Sequence, residues 1–188
     1  MPEVTDAIEE VVNGEIRIMP APKLNHSYII DNLQHTMSAQ LDRRAVWVAV
    51  TTFGLIIRKS PLTSRIPDLA VFDRSTIVEE DGYVHSAPQL LVEVLSPANT
   101  RREREEKLND YAEIGAPEVW VISPEARTVE VLYLEDRYLR TACVLNGGIL
   151  TPKLFPQVKV DIATIWPDEL RSPGQPEGYP TNQLPALE

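Results

Sequence analysis

Cysteine is all but missing from this sequence: Cys143 stands alone among 188 residues. One cysteine excludes an internal disulfide framework. Its place in the strand-like run Y-L-R-T-A-C-V reads as a buried, inert thiol in a reducing, cytoplasmic setting. Histidine is nearly as scarce, at three residues, and no His/Cys spacing suits zinc. No apolar run approaches the ~20 residues that a bilayer-spanning helix needs. The opening M-P-E-V-T-D-A-I-E-E is acidic and lacks the basic and apolar regions of a secretory signal, so no membrane association is expected. The eight glycines build no phosphate-cradling loop, and G-x-S-x-G is absent, which argues against a small-molecule α/β hydrolase. Positive charge is in short supply: 18 Lys and Arg face 28 Asp and Glu, for a formal charge of -10. That balance counts against a broad nucleic-acid-binding surface, because phosphate affinity comes from neutralising cations. It leaves room for a local basic patch, and it predicts weak nucleic-acid binding without a divalent metal.

What is present suits one globular domain: 43% hydrophobic and 24% charged residues, with a length that can bury a sizeable core. Residues 1–171 read as that domain. Residues 172–188, with Pro173, Pro176, Pro180 and Pro185, read as a proline-rich tail. Along the chain, residues 1–13 form an acidic lead-in, with Ile8, Val11 and Val12 on one short helical face. Asn13-Gly14 is a turn signal, and E-I-R-I-M alternates as a half-buried strand does. From Leu24 to about Arg44, Ile30, Leu33, Met37 and Leu41 recur at helical spacing, with Asn25 as candidate N-cap. V-W-V-A-V and G-L-I-I-R read as a meander pair, K-S-P-L-T-S-R as a polar loop, and L-A-V-F-D as the next strand. Q-L-L-V-E-V-L is a continuous apolar run, as in a central strand covered on both faces.

The capping box Thr100-x-x-Glu103 starts a helix near Arg101, and Gly115 followed by Pro117 stops it. E-V-W-V-I-S follows at short range, so strand, helix and strand form a right-handed parallel crossover. T-V-E-V-L-Y-L and Y-L-R-T-A-C-V read as a hairpin, V-K-V-D as a last edge strand, and D-I-A-T-I-W as a turn capped by Asp161. Trp47, Trp120 and Trp166 read as core or interface packing. The fold class is α/β, a mixed sheet flanked by helices.

Three residues in this pattern carry chemistry. Asp68 opens one strand, and Glu93 sits inside another with apolar neighbours on every side in sequence. A carboxylate in a core is costly unless paired, protonated or metal-bound. Taken singly, each has a plain explanation: an ion pair of Glu93 with Arg101 or Arg102, a Pro-Asp turn at Asp68, a solvated lysine at Lys107. Taken as a pair on adjacent strands, Asp68 and Glu93 would repel, and a divalent cation relieves that conflict. Hard oxygen donors suit Mg²⁺ or Mn²⁺. Lys107 and Tyr111 share a helix face at i and i+4, and the lysine can lean toward the carboxylates.

P-D, about 25 residues, E-V-L-S-P, a helix with lysine and tyrosine, then G-A-P-E-V-W-V-I-S-P-E-A-R-T-V-E-V resembles the Uma-type (DUF820) endonucleases of the restriction-endonuclease-like PD-(D/E)xK superfamily. G-E-I-R-I-M-P-A-P and His26 resemble the same family's N-terminal pattern, and the likeness runs from about Asn13 to Trp166. The superfamily pattern puts its lysine two residues after the glutamate, where this chain has Leu95; Lys107 occupies the place of the substitute lysine on the following helix. Glu103 stands where the family often has aspartate. The resemblance implies a restriction-endonuclease-like fold and metal-dependent hydrolysis of phosphodiester bonds, with DNA as the default substrate. It implies Asp68, Glu93 and the main-chain carbonyl of Val94 as Mg²⁺ or Mn²⁺ ligands. Lys107 would act on the attacking water or the phosphate charge, and Glu15 would complete the metal shell. His26, Arg101 and Arg102 would meet nucleic-acid phosphate. It also implies a homodimer, for which the hairpin Val129–Val144 is a candidate surface if it is not core. The alternative is a catalytically silent nuclease-fold protein acting in nucleic-acid binding or assembly.

Overall fold

The apolar run Leu90–Val94 forms the strand on which the fold is centred, and both of its faces are covered. The structure is a computed structural model describing residues 8–167 apart from 20, 51–52 and 98–99; the 172–188 tail and the boundary at 171 lie outside these residues. In chain order the elements are β1 (Ile8–Val12), β2 (Glu15–Met19), α1 (Leu24–Ser38), β3 (Val46–Val50), β4 (Leu55–Lys59), β5 (Leu62–Arg65) and β6 (Leu69–Asp73). Then come the short β7 (Glu79–Glu80) and β8 (Tyr83–Val84), β9 (Leu90–Val94), α2 (Arg101–Ile114), β10 (Glu118–Ser123), β11 (Thr128–Glu135), β12 (Tyr138–Leu145), β13 (Ile149–Leu150) and β14 (Val160–Asp161).

The main sheet has the order β12-β11-β10-β9-β6-β3. Its one parallel pair, β9 with β10, is joined by α2 as the crossover rule requires. Alternation along the strands divides the core in two. Leu69, Val71, Leu90, Val92, Trp120 and Ile122 face α1 and the C-terminal segment ending at Trp166. Ala70, Phe72, Leu91, Val119 and Val121 face α2 and a second sheet of order β2-β1-β5-β4-β8-β7. Each fully buried Leu, Ile or Val contributes roughly 1.5–3 kcal/mol. No helix among the described residues is long and apolar enough to cross a membrane.

Several expectations are corrected. The stretch before Asn13 is a strand, not a helical face: β-branched residues favour it, and Asn13-Gly14 at φ 55° and 83° closes a two-residue hairpin to β2. β2 is the expected strand with its faces exchanged. Ile16 and Ile18 are 66% and 69% exposed, while Arg17 turns inward to Glu106 at 2.7 Å. α1 ends at Ser38 rather than near Arg44, and its N-cap is Lys23, without a side-chain cap, rather than Asn25. β3 and β4 are not a meander, because β3 pairs β6 in the main sheet and β4 pairs β5 in the second.

The polar loop is strand β5, with Thr63, Ser64 and Arg65 buried. Polar residues can line a core strand when their partners come from other elements; here the Asn13 N–H donates to Thr63 Oγ1 at 3.1 Å. Cys143 is exposed rather than buried, because β12 is an edge strand with one side open. Within the hairpin, Val129, Val131 and Leu132 are core while most of β12 is exposed. β14 pairs β13 in a separate two-stranded ribbon. The strand β9, the helix bounds at Arg101 and Gly115, the crossover, the hairpin and the Asp161 cap stand as expected.

Candidate active site

β6 and β9 pair antiparallel with Leu69 opposite Val92 and Ala70 opposite Leu91. Continuing that register by one residue sets Asp68 beside Glu93, on the face that looks toward α2. The Val94 N–H donates to Asp68 Oδ2 at 2.7 Å. A strand residue turns its N–H and C=O to the same neighbour, so the Val94 carbonyl opens on Asp68's side as well. His26, in the first turn of α1, brings Nε2 to 3.1 Å from the same Asp68 oxygen.

The helix α2 supplies the cation. Its start is set by the reciprocal capping box, with the Glu103 N–H on Thr100 Oγ1 at 3.2 Å and the Thr100 N–H on Glu103 Oε2 at 2.8 Å. Its end is set by Gly115 in the left-handed region at φ 87°. Helix phase is thereby fixed from both ends, and Lys107 and Tyr111 meet Glu93 together. Lys107 Nζ donates to Glu93 Oε2 at 2.8 Å, and the Tyr111 hydroxyl donates to Glu93 Oε1. Glu93 thus pairs with Lys107, not with Arg101 or Arg102.

Behind Lys107 lies a layer of buried charge. Glu10 on β1, Arg65 on β5 and Asp110 on α2 are 2%, 3% and 4% exposed. Arg65 Nη1 donates to Glu10 Oε2 at 2.8 Å, and Arg65 Nε to Asp110 Oδ2 at 2.8 Å. Nη2 lies 2.6 Å from that same Asp110 oxygen without the angle for a hydrogen bond. Lys107 Nζ is 3.3 Å from Glu10 Oε1.

The fields follow from this arrangement. Burial pushes the Glu93 carboxyl up, and nearby Asp68 adds to it, so that even against Lys107 its pKa stands at about 7. Burial pulls Lys107 down, but Glu93, Glu10 and Asp68 outweigh it and hold the ammonium above its ordinary value. Burial likewise works against a charged His26, yet the hydrogen bond and charge of Asp68 raise its pKa. Burial would push Glu10 up, and Lys107, the Ile66 N–H and Arg65 together bring it below the usual carboxylate value. Burial and Glu93 raise Tyr111, keeping its phenol a donor.

The structure brings Asp68, Glu93, Val94, Lys107 and His26 together. Glu15 is exposed at the start of β2, and no hydrogen bond or ion pair among the described residues ties it to this cluster; the acidic residue that the N-terminal hairpin delivers to Lys107 is Glu10. Arg101 is 91% exposed and bonds Glu105 at 2.8 Å, and Arg102 is exposed on the same first turn; neither contacts the carboxylates.

Among the described residues no group of three carboxylates or imidazoles forms a ready coordination shell. The donor set is two carboxylates and a main-chain carbonyl. Such a set fits a hard cation that keeps most of its waters, as Mg²⁺ does. Sequence reasoning missed Glu10, Arg65 and Asp110. Asp110 lies one helical turn beyond Lys107 and was findable by spacing. Arg65 stands three residues before Asp68 in a stretch whose polarity masked a strand. Glu10 has no local signal at all.

Comparison with known proteins places the fold. The crystal structure of "a putative nuclease belonging to DUF820" from Anabaena variabilis shares the fold with a TM-score of 0.71, at 22% sequence identity, covering 88% of this chain and 92% of that one. No curated protein matches the chain. The family described as "Uma2: Putative restriction endonuclease" matches residues 1–163. With the match spanning nearly all of the described fold, the chain belongs to the Uma2 family.

Proposed function

We propose that the protein is a divalent-metal-dependent endonuclease that hydrolyses phosphodiester bonds, with DNA as its substrate. The observation that carries this reading is the meeting of Asp68, Glu93 and Lys107 at one point, from two strands and a helix. Asp68, Glu93 and the Val94 carbonyl would hold Mg²⁺ or Mn²⁺. Bound there, the ion would offset phosphate charge and lower the pKa of a bound water.

The chain's own residues do the rest. Tyr111 and Lys107 hold the two Glu93 oxygens and fix its rotamer. Lys107 stays protonated and presents a positive charge where the pentavalent phosphate gathers negative charge. His26, bonded to Asp68, orients that carboxylate and offers a cation to the nucleic-acid backbone. The exposed Arg101 and Arg102, at the N-terminus of α2, lie open to flanking phosphates. A homodimer would set two such sites on two strands, and the open edge of β12 is a surface for it.

A second reading, a nuclease-fold protein that binds or assembles without turnover, draws on one observation. Both Glu93 oxygens already carry donors from Lys107 and Tyr111. Calorimetry with Mn²⁺ and cleavage of supercoiled plasmid separate the two. The nuclease reading expects metal binding that Glu93→Ala abolishes and cleavage that Lys107→Ala abolishes; metal binding without cleavage by the wild type favours the second. An RNA substrate run in parallel tests the choice of DNA.

A further inference from the structure

β6 and β9 bring Asp68 and Glu93 together by their own pairing. The strands β1 and β5 are not needed for that, yet they deliver two of the most deeply buried charges among the described residues, Glu10 and Arg65. A buried ion pair is a poor device for stability, since apolar replacements of similar size are often neutral or stabilising. The hydrogen bonds of this cluster point to a different use.

Glu10 Oε1 accepts the Ile66 N–H at 3.0 Å and lies 3.3 Å from Lys107 Nζ. Lys107 Nζ also reaches the Ile66 carbonyl at 3.5 Å. Ile66 is two residues ahead of Asp68, so one carboxylate oxygen ties the ammonium to the peptide that carries Asp68. The other Glu10 oxygen is held by Arg65, and Arg65 is held by Asp110, one turn beyond Lys107 on α2. The chain of contacts closes on the helix where it began. An ammonium has three donors; here two meet Glu93 and the Ile66 carbonyl, and Glu10 faces the same charge as an ion pair at 3.3 Å. Removing Glu10 takes away one of the two carboxylates that pin a side chain with several free rotamers.

The geometry points to Glu10, held by Arg65 and Asp110, as a positioning residue for phosphodiester hydrolysis: it fixes the Lys107 ammonium in place against Asp68 and Glu93. The second sheet then becomes a working part of the site. This inference rests on the nuclease reading above for its chemical consequence, while the positioning itself is measurable without turnover.

The test uses the full chain with Glu10→Gln, which keeps shape and loses charge, Glu10→Asp, which keeps charge and shortens reach, and Arg65→Lys. The first readout is the ¹H–¹⁵N resonance of the Lys107 ammonium, assigned by its loss in Lys107→Met. The second is kcat and KM for Mn²⁺-supported plasmid cleavage. In the wild type the ammonium is held and gives a sharp resonance. In Glu10→Gln that resonance is lost to water exchange while the thermal melt still shows a folded protein. kcat falls roughly 10- to 100-fold, the scale of an ångström-sized misplacement, with KM within about twofold. Glu10→Asp lies between the two. A sharp resonance and unchanged kcat in folded Glu10→Gln overturn the inference. Should Glu10→Gln fail to fold, Arg65→Lys is read by the same two measurements, with the same outcomes for and against. Should the wild type cleave nothing, the nuclease reading falls and the resonance alone decides: its loss in Glu10→Gln upholds the positioning, and its persistence overturns it.

Discussion

Two glutamates, one buried and one half-buried, sit on neighbouring strands of the main sheet, and loss of solvent raises the pKa of both. Glu118 on β10 looks toward α1. Its oxygens accept the Trp120 indole N–H at 2.7 Å and the Lys153 main-chain N–H at 2.7 Å. Glu93 on β9 looks toward α2, and its oxygens accept from Lys107 and Tyr111, with Asp68 alongside. The partners of Glu118 are neutral and fixed, and its work is to satisfy them. The partners of Glu93 are a cation and a second acid, and the carboxylate keeps 13% of its surface open. Burial makes a carboxylate conspicuous; its neighbours decide whether it is a strut or a site.

The largest expected difference between the two is in activity. Glu93→Gln or Asp68→Asn should lower plasmid cleavage by about 10²–10³-fold or more, the scale of losing one preorganised electrostatic group. Glu118→Gln should leave the rate of the folded protein within about twofold.

The next difference is in pH dependence. Because the folded protein holds the Glu93 proton more tightly than the unfolded chain does, its contribution to stability is complete below pH 4.5 and is lost as pH rises through about 7. A pKa moved from 4.5 to about 7 corresponds to about 3 kcal/mol. Urea denaturation at pH 5 and pH 8 should show wild type losing stability relative to Glu93→Gln by that order across the interval. A difference that does not change with pH would contradict the raised pKa. His26, also raised, pulls in the same direction, and part of its shift comes from the Glu93 charge, so the comparison with Glu93→Gln reads the glutamate together with its share of the His26 shift.

A smaller effect runs the other way. Glu118→Ala strips the partner from the buried Trp120 indole N–H and from the part-buried Lys153 main-chain N–H, and should cost about 2 kcal/mol of stability. The same denaturation curves check it. Smallest of all is Arg101→Ala, which removes an exposed pair with Glu105 and should shift stability by less than about 0.5 kcal/mol. Its effect should appear only as weaker nucleic-acid binding at low salt.

Much of the site was legible in the sequence, because strand pairing and helix phase are local matters. The apolar run around Glu93, the capping box at Thr100 and the stop at Gly115 each carry their signal within a few residues. Together they place Lys107 over Glu93. Glu10 and Arg65 were not legible, because their burial depends on each other across 55 residues and neither sits in an apolar pattern. For the same reason β5 read as a loop and β1 as a helical face. The meander of β3 and β4 failed for a related cause: adjacency in the chain says nothing about which sheet a strand joins. Glu15 rested on family likeness alone, and the hairpin register turns Glu10 inward opposite Arg17 while Glu15 lies exposed.

The most direct measurement is Mn²⁺-dependent nicking of supercoiled plasmid by wild type, Glu93→Gln and Glu118→Gln at equal folded concentration. The account predicts that wild type and Glu118→Gln cut alike and that Glu93→Gln is silent. Equal cutting by all three, or none by the wild type, would contradict it.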